Sequence, residues 1–182
     1  MKNVICARLF LCAVMVAVAV SSLFAQTTPP GLAKELVATW DRAAKDIIDV
    51  AEAMPEEKYG FKATPEMSSF SDQLVHLTII VQRSIDSAKG AKSHADQPHK
   101  TMTKAEVVSH LKQTLKAGQD LIASLSDAQV VEQVKPVRGD QMVTRYGFWM
   151  GPLYQIRNHH GQLVVYLRMN GIVPPTTARR PA

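Results

Sequence analysis

The chain is 182 residues long, 46% hydrophobic and 20% charged, with a formal net charge of +5. Its basic residues are scattered among acids, with only Arg179-Arg180 as a terminal pair, so nucleic-acid binding, which needs a concentrated basic face, is not expected. Its two cysteines, Cys6 and Cys12, both fall in the first dozen residues, which excludes a disulfide framework or a cysteine metal site from the rest of the chain.

The N-terminus reads as a cleaved secretory signal peptide over residues 1–25. Lys2 and Arg8 supply the basic start, Leu9 to Val20 the apolar run, and Ser21-Ser22-Leu23-Phe24-Ala25 the approach to a cut before Gln26. The apolar run is too short for a comfortable membrane span, although an uncleaved anchor is the rival reading. The expectation is export to the periplasm or the extracellular space, with residues 26–182 forming one domain and no stable membrane span after cleavage. That domain stands on one hydrophobic core, for which its length suffices.

The periodicity beyond the leader is helical. Leu32, Leu36, Trp40, Ala44, Ile47, Ala51 and Met54 recur every three or four residues and predict a first amphipathic helix ending before Pro55. Residues 55–65 lack any period and read as a long crossing loop. A second helix is expected from Ser68 or Ser69, the serine serving as cap, through Phe70, Leu74, Leu77, Val81 and Ile85 to Lys89-Gly90. Residues 91–100 form a polar loop. Thr103 and Glu106 then have capping-box spacing for a third helix through Val107, Leu111, Leu115, Gly118, Ile122 and Leu125. Gly118 costs that helix about 1 kcal/mol relative to alanine and marks a candidate close helix contact. Residues 126–144 are mixed, with short extended pieces at Val130-Val131 and Met142-Val143 but no predicted sheet. A fourth helix runs from about Arg145 to Asn170, stopped by Gly171 and Pro174-Pro175. The fold class is all-α, a four-helix bundle.

Six histidines carry the obvious chemistry. His94 and His99 sit in a polar loop and read as solvated surface; His110 reads as a partly exposed helix residue. His76 lies mid-helix between apolar neighbours, which predicts that the bundle partly encloses it, and on spacing alone a hydrogen-bonded core histidine is the favoured reading. On the fourth helix, Gln155 and His159 are four apart and share a face, whereas His160 points about 100° away. Two positions four apart on one helix, joined by one from another, is a bundle-interior metal arrangement. Here it offers His76 and His159 as good ligands and Gln155, a neutral amide, as a poor one. Trp40 reads as a core anchor, Trp149, Tyr146 and Phe148 as packing against loops, and Tyr166 as packing or a pocket hydroxyl. Arg168 offsets the negative end of the helix dipole, and the acids of the first helix lie on its solvent face.

The segments Met54-Pro55-Glu56-Glu57-Lys58-Tyr59, Phe70-Ser71-Asp72-Gln73-Leu74-Val75-His76 and His159-His160-Gly161-Gln162-Leu163-Val164-Val165-Tyr166-Leu167-Arg168 resemble the DinB-like superfamily of four-helix proteins, unrelated to the DNA polymerase of that name. The resemblance covers nearly the whole chain after the leader. It implies an up-down-down-up bundle with a metal site formed by one histidine of the second helix and two of the fourth, four residues apart. His76 matches the first ligand and His159 the last, His160 falls where the family often has arginine, and the middle ligand falls on Gln155. Two of three ligands are thus kept.

Three functional readings follow. In the first, His76, His159 and a weaker Gln155 hold a divalent metal (Zn, Ni, Fe or Mn), as a binding protein or as a metal-dependent hydrolase or transferase. In the second, the bundle has lost the metal and binds a small-molecule ligand. In the third it is a structural or interaction module. A homodimer is compatible with all three.

Overall fold

A computed structural model describes residues 31–91, 102–136 and 139–179. The expected signal peptide over residues 1–25, His94 and His99 lie outside these residues. Four long helices carry the fold: α1 (Leu32–Ala53), α2 (Phe70–Ala88), α3 (Lys104–Ala123) and α5 (Arg145–Met169). Two four-residue helices, α4 (Asp127–Val130) and α6 (Pro175–Ala178), and a two-stranded antiparallel hairpin, β1 (Gln133–Val134) with β2 (Val143–Thr144), complete it.

The helix starts follow from local hydrogen-bond chemistry. Ser69 and Asp72 form a capping box at α2, and Thr103 and Glu106 form another at α3, each satisfying amides that have no partner within the helix. Thr144 Oγ1 accepts from the Gly147 amide at 3.1 Å to open α5. At its end Gly171 adopts φ 73°, the Gly171 amide donates to Arg168 O and the Ile172 amide to Leu167 O. That is a Schellman closure, which favours glycine at the left-handed position. Pro174-Pro175 do more than bar continuation: Pro175 takes the first position of α6, where its missing N–H costs nothing.

The start of α1 is capped from a distance. Gly31 offers no side chain, and the Asp127 carboxylate of α4 instead accepts from the amides of Gly31 (2.7 Å) and Ala33 (2.8 Å). Those two amides, Ala33 foremost, hold the Asp127 carboxyl below the usual carboxylate range. A depressed folded-state pKa means the stabilisation is fully present above the unfolded value of about 3.9 and is lost as pH falls through the folded one. Asp127→Ala should therefore lower the melting temperature at pH 7, with the gap to wild type narrowing below about pH 3.9. Thermal unfolding followed by circular dichroism at pH 7 and pH 3 checks this.

The helix directions follow from the contacts. Trp40 meets Trp149 edge-on (ring centroids 5.7 Å, 87°) and Asp46 pairs with Arg157 at 2.8 Å, so α1 and α5 run the same way. The Trp40 indole donates to Leu115 O at 3.0 Å while Glu52 pairs with Lys112, so α3 runs opposite to α1. The Tyr166 hydroxyl donates to Ser68 O at 2.8 Å, while Trp149 and Ala88 line one cavity, so α2 runs opposite to α5. The long helices are thus up, down, down and up, and α1 and α2 sit diagonally, each packed against α3 and α5. The crossing from α1 to α2 holds a single 3₁₀ turn (Glu56–Lys58) and is anchored by aromatics. The buried Tyr59 donates to Ala51 O at 2.6 Å and meets Phe70, and Phe61 meets Tyr166.

Trp40 is fully buried, and a Cβ built on Gly118 would lie 2.5 Å from its Cζ2. The glycine of α3 is therefore the socket for the indole of α1, the close helix contact expected of it. At the other end of the chain α6 buries no residue of its own; Arg179 pairs with Asp46 at 2.9 Å and also with Asp49. Two of the α1 acids expected on a solvent face are thus bound by later helices. Among the described residues no helix is long and apolar enough to cross a membrane.

Candidate functional site

The antiparallel run of α2 and α5 brings His76 and His159 together, with ring centroids 5.7 Å apart and ring planes inclined by 41°. His159 shares the inner face of α5 with Ile156 and Leu163 and is 5% exposed. Its Nδ1 lies 2.9 Å from the backbone carbonyl of Gln155. A carbonyl can only accept, so Nδ1 carries a proton and, in the neutral ring, Nε2 is the nitrogen with a lone pair. A backbone bond of this kind fixes tautomer and ring orientation in metal-ligating histidines.

His76 departs from expectation. It is exposed, not enclosed. Its apolar neighbours Val75 and Leu77 suggest enclosure only when read linearly; the buried face of α2 runs through Phe70, Leu74, Leu77, Val81 and Ile85, and a step of about 100° per residue carries His76 away from it. The pair therefore joins one fixed, buried imidazole to one at the surface.

The other candidates lie elsewhere. His160 turns toward α1, where its Nε2 is buried without a hydrogen bond among the described residues. Burial holds its pKa below the usual imidazole value, Asp46 pulling it up and Arg157 and Arg179 pushing it further down. His110 is exposed on α3. Tyr166 is buried with its hydroxyl committed to Ser68 O, which makes it a packing residue. Trp149 and Phe148 are buried, whereas Tyr146 is exposed.

Gln155 stands one turn before His159 and is half-buried. Its contribution to the histidine comes from the backbone carbonyl, a role that does not depend on the side chain and that residue-type reasoning passes over. Among the described residues no group of three His, Cys, Asp or Glu side chains is placed to hold a metal. The nitrogen donors brought together are thus two imidazoles, fewer than the three protein ligands of a catalytic zinc site. Two imidazoles would hold a borderline cation less firmly than three, leaving more positions for water.

The DinB family model matches residues 25–180. The chain belongs to the DinB family. The DinB-like fold is shared with a DinB-like protein from Bacillus subtilis (TM-score 0.61, 16% identity, covering 75% of this chain and 92% of that one). A DinB-like protein from Bacillus cereus gives a TM-score of 0.64 at 13% identity, covering 78% of this chain and 95% of the other. A conserved protein from Enterococcus faecalis gives 0.55 at 16% identity, covering 76% and 96%. At these identities the likeness establishes the DinB-like fold alone. No curated protein matches the sequence.

Proposed function

We propose that this DinB-family protein binds a divalent metal between α2 and α5, with His76 and His159 as its principal ligands and Gln155 as a weaker third. The observation that carries the reading is the apposition of the two rings, with the His159 tautomer set by the Gln155 carbonyl so that Nε2 keeps its lone pair. A metal there would supply Lewis acidity or a water of lowered pKa, the chemistry of a metal-dependent hydrolase or transferase. The chain's own part is to hold one ligand rigidly inside the bundle and to present the other at the surface. The neutral Gln155 adds no charge, so the site gives up affinity and leaves coordination positions open for water or substrate. The basic start and apolar run of residues 1–25 support export as a signal peptide, and with it a site working in the cell envelope or outside the cell.

The test is elemental analysis of the untagged protein, followed by calorimetric titration with zinc, nickel and manganese. One equivalent should bind. Gln155→His should tighten it by about tenfold or more, as an imidazole replaces an amide, and His159→Ala should release it. A wild-type protein that takes up none of the three metals would defeat the proposal. The bundle would then be read as a metal-free small-ligand or structural domain.

A further inference from the structure

We infer that a cavity at the far end of α2 from its cap is a binding site for a small aromatic carboxylate. It is a half-open cleft of about 260 Å³ between the last turn of α2, the hairpin and the first turns of α5. Size is the first argument. An apolar cavity of roughly 150 Å³ holds one benzene ring, so this one has room for a ring and a short acid substituent.

The lining is the second. Trp149 and Phe148 form an aromatic wall, both largely buried and in edge-to-face contact with centroids 5.4 Å apart. Pro136 and Ala88 continue the apolar surface, which a hydrated inorganic anion would gain nothing by touching but a ring would bury. The polar residues are Lys135, Arg145 and Ser87, and among the described residues no acidic side chain lines the cavity. Arg145 engages Glu132 through Nε at 3.2 Å, and its guanidinium has further N–H donors in a fork suited to a carboxylate. An apolar wall facing cationic donors is the division of labour that small-ligand sites use for affinity and orientation.

This site is independent of the histidine pair. Ser87 lies eleven residues beyond His76 on α2, about 16 Å along the helix axis. A ligand here would not touch either imidazole.

The chain has two tryptophans. Trp149 lines the cavity and Trp40 is fully buried, so the indole N–H resonance of Trp149 reports occupancy. The experiment titrates the protein with phenylacetate and, in parallel, with acetate, which lacks the ring, and phenylacetamide, which lacks the charge. Phenylacetate should shift that resonance saturably, and both comparators should bind at least about fivefold more weakly. Lys135→Ala, at an exposed position, should weaken phenylacetate about fivefold, the scale of one exposed charge interaction. Ala88→Phe, which fills the cavity, should abolish the shift while the helical circular dichroism persists. If Ala88→Phe fails to fold, the Lys135 variant and the comparators decide alone. Absence of saturation in the wild type, equal binding of phenylacetamide, or an unchanged Lys135→Ala would each overturn the assignment.

Discussion

Trp40→Ala should lower the free energy of unfolding by about 3–5 kcal/mol, the range for truncating a large buried aromatic. Trp40 is fully buried on α1, donates its indole N–H to Leu115 O at 3.0 Å and meets Trp149 edge-on at 5.7 Å. Truncation removes both contacts and leaves a cavity at the junction of α1, α3 and α5. Against a typical stability of about 5–15 kcal/mol, such a loss puts the bundle near its unfolding threshold. Urea unfolding followed by circular dichroism should show a large fall in midpoint with little change in slope. A loss below about 1 kcal/mol would mean that the site collapses around the missing ring.

Gly118→Ala should destabilise the protein by about 1–3 kcal/mol, and the informative part is the sign. In an ordinary helix interior, glycine to alanine gains about 1 kcal/mol. Here the added methyl would sit 2.5 Å from Trp40 Cζ2 and 3.0 Å from Cη2. The neighbour is a fully buried ring with no free rotamer to retreat into, so overpacking outweighs propensity. Trp40→Phe should shrink the penalty of Gly118→Ala, giving a non-additive double-mutant cycle. Stabilisation by Gly118→Ala in the wild-type background would disprove the socket.

How much of this was legible in sequence depended on the range of the interaction. The caps at Ser69 and Thr103, the stop at Gly171 and the four long helices follow from neighbours within one or two turns, and they could be read directly. The helix at Asp127–Val130 was missed, although Ser126 and Gln129 have capping-box spacing, because four residues are too few to show a period. Of the two short extended pieces expected, Met142-Val143 overlaps β2, whereas Val130 closes a helix and the pairing strand lies further on at Gln133–Val134. Gly118 announced a close approach but not its partner, since nothing local links it to Trp40. At the candidate site the pairing of His76 with His159 agreed with what the family resemblance implied. The exposure of His76 did not follow from its linear neighbours, because adjacent helix residues point to different sides. The carbonyl that orients His159 belongs to the backbone, and residue identity carries no sign of it.

The clasp of Arg179 on Asp46 and Asp49 divides the molecule by the kind of force that holds each part. The four long helices are bound by apolar packing, which added salt leaves intact, whereas α6 buries no residue of its own and is fastened by charges at the surface. Such pairs weaken as ionic strength rises and the screening length shrinks toward a few ångströms. The charge clasp is thus the salt-sensitive part of that attachment, while the buried Pro174 before α6 supplies an apolar part that salt leaves in place. Asp46 and Arg179 both act on the charge of His160, so loosening the clasp with salt also alters the electrostatic surroundings of that buried imidazole.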